Sequence, residues 1–317
     1  MGFASIVTGF AVVLLGITLV AIATVTWQHF RYLHARRGPV QDRQPMLYAP
    51  SAFHVVSLAK LAPDRDLFEE ARRIVAALEG GGGRVVYAGK SLLIGLESQQ
   101  LPQVEWDFAL LTQYPSRRAY EDARKQPEVA SALAGLEQRY DQGMHRPALL
   151  NLALPVALLA RRVRDVLTRH PARYPFQRAD HLAFADDPET RERARRLETL
   201  AGVRELGRDA AVVVNFVKHG SSEQREHDAD YVGEMMGLMA ERAHGPMHMG
   251  SAVGVEGDAD FDQVALVYYP GAPYFAEMAQ SSFYQSILGD KQLGDSLAMI
   301  TAPFLDHLQP ARNDRVR

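Results

Sequence analysis

The chain reads as an α+β protein: two βαββαβ units in tandem, preceded by one transmembrane helix. Three observations predict this. Positions 2–28 contain no Asp, Glu, Lys or Arg and are almost wholly apolar. The stretches WDFALLTQYP (106–115) and FDQVALVYYP (261–270) each open on an aromatic residue and Asp, alternate apolar side chains, and close on Tyr-Pro. Around each of them the same succession of strand and helix patterns recurs.

Residues 1–30 form the anchor. At 1.5 Å per residue the uncharged run is about 40 Å long, enough to cross a hydrocarbon core of about 30 Å with some tilt. Trp27 stands at its end, where interfacial aromatics gather. A cleaved signal peptide accounts for it less well. No positive charge precedes the run, the run exceeds the usual apolar length of such peptides, and no small-residue cleavage site follows. Arg31, Arg36, Arg37 and Arg43 lie just after the span. The positive-inside rule therefore places the N-terminus outside and the soluble part on the cytoplasmic side of the inner membrane.

A polar, Pro-containing linker (31–50) leads to the first unit, 51–155. FHVVSLAKL (Phe53–Leu61) is an apolar-rich strand. Leu67, Phe68, Ala71, Ile74, Val75 and Leu78 follow at helical spacing, with acidic residues at the helix start and four glycines at its end. RVVYAGKSLLIGL (Arg84–Leu96) reads as the second strand and DFALLTQYP as the third. A helical stretch from 116 to about 140, broken near Pro127, precedes a short fourth strand, PALLNLALP (147–155). The second unit, 209–306, repeats the order. DAAVVVNFVKH, MHMGSAVGVEG, FDQVALVYYP and SLAMITAPFL are strands, and EQREHDADYVGEMMGLMAERA and APYFAEMAQSSFYQSILGD are helices. In each unit βαββαβ is the ferredoxin-like arrangement.

Between the units, 156–208 is a basic helical connector, and a polar tail (307–317) ends the chain. In ALLARRVRDVLTRHP the arginines Arg161, Arg162, Arg164 and Arg169 admit two readings. One lays an amphipathic helix on an anionic leaflet beside the anchor; the other is a solvated face packed on the barrel.

Composition narrows the function. The 317-residue chain is 47% hydrophobic and 23% charged, with a formal charge of −3. That is enough apolar material for a sizeable core and no basic excess for a general nucleic-acid binder. The absence of Cys removes disulfides, thiolate catalysis and Cys-based metal sites.

The pieces GGRVVYAGKSLLIGLE and VEWDFALLTQYPSRRAYEDARKQPEV, with their weaker counterparts in the second unit, resemble the dimeric α/β-barrel superfamily. That superfamily includes antibiotic-biosynthesis monooxygenases, muconolactone isomerases, chlorite dismutases and small uncharacterised barrels. The resemblance implies that the two half-sheets pair into an intramolecular barrel, which also relieves the edges of two open four-stranded sheets. It implies a ligand cavity inside the barrel or between a sheet and its helices. Cofactor-independent oxygenation, isomerisation and haem binding occur among such relatives.

Aligning Gly89 with Gly250 sets Tyr87 on His248, with both on the glycine face of their strands. Small residues there (Gly89, Ser91 and Gly95; Gly250, Ala252 and Gly254) leave space for a ligand or for close packing. Asn215 is the only polar residue within AVVVNFV, and a buried amide must find partners. The candidate catalytic set is His248, Asn215 and Tyr268, with His248 titrating near neutral pH. The candidate ligand-binding set is Tyr269, Tyr87, Lys90 and Trp106. A strand His or Tyr is otherwise an ordinary core residue.

No metal site is nominated. Met235, Met236 and Met239 follow core spacing, and Met247 and Met249 alternate away from His248. EGGGGR leaves a helix and enters a strand, the reverse of a phosphate loop. Two functions follow. One is a membrane-anchored barrel that binds a small apolar or aromatic molecule, as an oxygenase-like, isomerase-like or haem-binding enzyme. The other is a non-catalytic, membrane-tethered scaffold or accessory subunit docking a membrane-protein partner. In both, residues 2–28 contact the lipid bilayer, and nucleic acid is not a partner.

Overall fold

The computed structural model describes residues 3–41, 43, 45, 47–180, 188–257 and 259–308. Its strands are β1 (Phe53–Leu61), β2 (Arg84–Leu96), β3 (Phe108–Tyr114), β4 (Leu136–His145), β5 (Ala211–Val217), β6 (Gly245–Gly254), β7 (Gln263–Tyr269) and β8 (Leu297–Pro303). They close into one barrel in the order β1-β3-β2-β8-β5-β7-β6-β4. Every neighbouring pair is antiparallel. Strands β1–β4 fill one half in the order β4-β1-β3-β2, and β5–β8 fill the other in the order β8-β5-β7-β6. At both seams the second strand of one half meets the fourth of the other, β2 with β8 and β6 with β4. The second strands also bulge at the same place, between Val85 and Tyr87 and between Pro246 and His248.

Strand alternation sorts the side chains into layers. Val56, Leu58, Leu111, Val212, Val214, Leu266 and Met299 point inward and fill the barrel. On the outside of the first half, helices α2 (Leu67–Gly80) and α4 (Pro127–Ala134) cover Ala59, Val85, Phe108 and Leu110. Asp66 caps α2, accepting from the Glu69 amide, and Ile74 and Leu78 face the sheet. The short α3 (Arg117–Arg124), capped by Ser116, packs Tyr120 and Ala123 against Phe53 and Tyr114. On the second half, α7 (Ser222–Arg242) and α8 (Ala272–Ala279) cover Ala211, Val213 and Ile300. Ser221 and Gln224 form a capping box that fixes where α7 begins. Two more helices, α6 (Pro188–Ala201) and α9 (Ser282–Ile287), complete this layer.

Two expected segments fold differently. The fourth strand of the first half is Leu136–His145, and 147–155 belongs instead to the helix α5 (Leu150–Leu167), which carries Pro155 within it. Leu150, Leu154 and Leu158 are buried at a helical interval, a period the apolar run conceals when read as a strand. The true strand looked polar because its outer face carries Asp141, buried against Arg124 and Tyr120. The stretch from 116 to about 140 is accordingly two short helices and the start of this strand. The linker is also shorter than expected. Helix α1 runs unbroken from Phe3 to Val40, through the positions assigned to a linker. The polar tail from 309 onward lies outside the described residues.

Helix α1 changes character along its length. Residues 12–15 are all exposed, so the helix is apolar on every side there rather than along one stripe. Among the described residues it is one helix long and apolar enough, over Val12–Tyr32, to cross a membrane. Its C-terminal part docks: Tyr32 is buried and donates to the Pro246 carbonyl at 2.5 Å, and Val40 joins the barrel core.

The β4–β6 seam leaves no room at Gly250, where a Cβ would collide with the His145 carbonyl. Gly250→Ala is expected to cost about 1–3 kcal/mol, because backbone rather than a flexible side chain must yield. Urea denaturation of the full chain against the unsubstituted protein measures this.

Candidate functional site

The strand register divides the candidate residues between two faces. His248 pairs with Leu266, so it points into the barrel. Tyr268 and Tyr87 point inward too. Tyr87 shares a 2.7 Å hydrogen bond with the Thr301 hydroxyl, and Thr301 donates onward to the Val212 carbonyl at 2.8 Å. Tyr268 donates to the Ala35 carbonyl of α1 at 3.1 Å. Burial pushes its phenol up to about 12, ahead of the effect of Asp209 and Tyr32. The structure thus gathers His248, Tyr87 and Tyr268 at one end of the interior.

The other four candidates lie elsewhere. Asn215 pairs with Ala265 and Ala298 and points outward, and Tyr269 also faces out, against His244 and Phe275. Lys90 is exposed on the outer side of β2. Trp106 enters the barrel from its opposite end, beside Phe261, roughly 20 Å along β3 from the histidine end. The grouping of Asn215 and Tyr269 with His248 and Tyr268 is therefore corrected. Consecutive residues such as Tyr268 and Tyr269 cannot share one face of a strand.

Sequence reasoning missed His54. It alternates with Val56 and Leu58 in FHVVSLAKL, the signal that places it inside. Its ring centroid lies 6.5 Å from that of His248. Both imidazoles are fully buried. Neither ring nitrogen of His54 has a hydrogen-bond partner among the described residues. Burial, and then Arg146 beside it, push His54 down to about 3, so it is neutral at physiological pH. Tyr48 packs edge-on against His54 at 4.7 Å, and the Arg146 guanidinium lies 4.4 Å from the Tyr48 ring. Arg146 also donates to Asn151 Oδ1 and to the Met247 carbonyl, and Asn151 donates to the Pro45 carbonyl. Together with the end of α1, this network closes the barrel over the two histidines.

The glycines of that face are occupied by close packing. A Cβ at Gly89 would strike the Tyr87 hydroxyl, which folds back over its own strand, and one at Gly250 would strike β4. A haem iron needs a histidine facing a space wide enough for the macrocycle. His248 and His54 sit among packed side chains, and His244 is fully buried with its Nε2 3.1 Å from the Tyr274 hydroxyl. None of these three histidines faces a space that fits a haem.

The outer layer of the second half is built differently. Asn215 donates both of its recorded hydrogen bonds from Nδ2, to the Val213 and Ala265 carbonyls at 3.0 and 3.2 Å. Its Oδ1 accepts none among the described residues. The corresponding position in the first half, Ser57, lies between Leu110 and Asp141, where Asn215 lies between two alanines. Where Leu110 stands beside Ser57, the smaller Ala265 stands beside Asn215. The helices over the second half carry half-buried aromatics, Tyr231, Phe275, Phe283 and Tyr284. Tyr231 and Tyr284 meet edge-on at 6.2 Å, and Lys291 approaches the Tyr231 ring at 5.7 Å. Beside them, burial raises the Asp228 carboxyl above the usual range.

No protein-family model matches the chain, and no curated protein matches it. Among solved structures it is similar to a dye-decolorizing protein from V. cholerae, with 14% identity over 83% of this chain and 97% of that one, at a TM-score of 0.43. An anthrone oxidase-like protein matches with 11% identity over 81% and 92% of the two chains, at 0.42. A chlorite dismutase variant from Candidatus Nitrospira defluvii matches with 10% identity over 84% and 97%, at 0.40. At such low identities and TM-scores these likenesses assign no activity, ligand or partner to this chain.

Proposed function

We propose that the protein is a membrane-tethered pair of fused ferredoxin-like units that binds a small apolar or aromatic molecule. The site is the layer between the outer face of the second half-sheet and its helices. The observation that carries this reading is Asn215. Its amide protons are tied to backbone carbonyls, its Oδ1 is left to accept, and alanines flank it on both neighbouring strands. An apolar-lined recess with a fixed polar group is the ordinary design of a small-molecule site. The half-buried tyrosines and phenylalanines of that layer supply apolar and π surface. Helix α1 supports the tether: its exposed apolar span leads directly into a docked segment, so a molecule partitioning into the bilayer has a short path to the barrel.

The test is mass spectrometry of whatever co-purifies with the detergent-extracted full chain, compared with Asn215→Leu. The variant breaks one ligand hydrogen bond and fills the recess. Retention of an apolar or aromatic compound is expected to fall about tenfold or more, the equivalent of one lost hydrogen bond. Equal retention by both proteins overturns the site.

One observation favours a second reading, a tethered scaffold without a ligand: side chains fill the barrel around His248. A preparation that carries no small molecule, yet retains a membrane protein in stoichiometric amount, selects that reading instead.

A further inference from the structure

Helix α5 lies antiparallel to α1 and reaches toward the apolar span. Its first turn is tied to the segment just after α1, through Asn151 and the Pro45 carbonyl. Further along, Arg162 on α5 and Arg31 on α1 donate to the same acceptor, the Glu241 carbonyl, at 3.3 and 3.2 Å. Arg162 is therefore level with Arg31. Leu167 lies five residues beyond it, about 7.5 Å farther along the helix. On α1 that height is close to Trp27, itself 61% exposed at the end of the apolar run. At this tip α5 presents Val163, Val166 and Leu167, which are 50%, 71% and 78% exposed.

Charge surrounds the tip. A groove of about 410 Å³ opens there, lined in part by Arg162, Val166, Arg169, Tyr174 and Arg242. Its two carboxylates are already engaged: Arg173 holds Asp165 at 2.7 Å and Glu241 at 3.1 Å. Arg162, Arg169 and Arg242 have no carboxylate partner among the described residues, and Arg242 stacks over Tyr174 at 4.1 Å. Exposed aliphatic side chains ringed by unpaired guanidiniums match an anionic bilayer surface, where apolar groups enter the acyl boundary and cations meet phosphate.

We propose that the C-terminal turn of α5 inserts into the interface of the bilayer that α1 crosses, and that Arg162, Arg169 and Arg242 bind an anionic phospholipid headgroup in this groove. This rests on the tethered reading of α1. Contact at the tip would hold the barrel at a fixed height and tilt instead of letting it swing on one helix.

The absence of native cysteines permits single spin labels in the full chain. Labels at V20C, L152C and L167C, in bilayers with and without phosphatidylglycerol, separate the tether from the docking. V20C reports the tether and is expected to be oxygen-accessible and shielded from aqueous nickel in both bilayers. L167C is expected to show the interfacial, oxygen-rich signature only with the anionic lipid. L152C, about 22 Å back along α5, is expected to stay in water. An Arg162→Gln, Arg242→Gln double variant is expected to lose the L167C signature while V20C keeps its own. A lipid-embedded V20C with L167C in water in anionic bilayers overturns the docking and leaves the tether standing. A V20C in water overturns the tether. An L167C shielded from both oxygen and nickel identifies a protein partner or a second copy there and also overturns the docking.

Discussion

Arg173→Met is expected to remove about 3–5 kcal/mol of folding stability, the usual cost of stripping one partner from a buried ion cluster. The Arg173 side chain is 2% exposed and sits among Asp165 at 2.7 Å, Glu234 at 2.8 Å and Glu241 at 3.1 Å. Its backbone amide donates to Glu241 as well. One guanidinium thus joins α5, through Asp165, to two turns of α7, through Glu234 and Glu241. Methionine preserves much of the side-chain volume but leaves three carboxylates facing one another with, among the described residues, Arg161 and the imidazole of His170 beside them. Gly237 is part of the same device: a Cβ there would collide with the Arg173 guanidinium, so helix α7 carries glycine in its interior to admit it. Denaturant unfolding of the full chain reads the loss. Adding Glu234→Gln and Asp165→Asn to Arg173→Met is expected to restore part of it, since the unpaired charges are the cause. A loss of less than about 1 kcal/mol would mean that the cluster is hydrated enough to behave as a surface ion pair.

Such a cluster marks where the sequence stops being legible. Apolar periodicity carried the long elements: β1 and β2 stand as read, and the two Tyr-Pro stretches do close the third strands of the two halves. The fourth strand of the first half is hard to see, because in LEQRYDQGMH the inward Tyr140 and Met144 are separated by Gln142 and the outward face is charged. Its Asp141 is tolerable only with Arg124 delivered from α3, and its Arg139 only with Glu256 from beyond β6. Partners distant in sequence cannot be inferred from local pattern. The grouping of the candidate residues was not legible for a related reason. Alternation fixes which residues of one strand share a face, but relating Asn215 on β5 to His248 on β6 requires the register through β7 and the bulge before His248. Where only parity within one strand was needed, as for Tyr87 and Gly89, the shared inward face was readable. By the same parity His54, two residues before the inward Val56, is legible in the sequence as an inward residue. The docked end of α1 lay hidden because residues 31–40 are rich in Arg and His, and only contact with the barrel shows which of them are buried.

Acid is expected to unfold the protein through its buried histidines. Burial and the nearby Arg146 push His54 down to about 3, and burial and Arg242 do the same to His244. In the unfolded chain both return to the ordinary value of 6.5. Between about pH 6.5 and 3 the unfolded chain therefore binds protons that the folded chain refuses, and stability falls as pH falls. Each histidine contributes about 1.4 kcal/mol per pH unit, so near pH 4.5 the pair costs about 5 kcal/mol, a large share of a typical domain's stability. Above about pH 6.5 neither has any effect. The variant that isolates this is His54→Phe. A phenyl ring keeps the edge-on contact with Tyr48, and no hydrogen bond to the described residues is lost, because neither nitrogen of His54 has a partner among them. The variant is expected to match or exceed the parent at pH 7.5 and to lose about half as much stability at pH 4.5. Urea midpoints across that range give the comparison, and carboxylate titrations common to both proteins cancel in the difference. If His54→Phe were strongly destabilised at pH 7.5, the imidazole would be holding something the barrel needs, and the sealed interior would have to be reconsidered as the binding site. A parallel pair of curves would mean that His54 reaches water and titrates normally. The expected curves, close together at pH 7.5 and diverging in acid by the contribution of one buried imidazole, distinguish a packed barrel from a pocket.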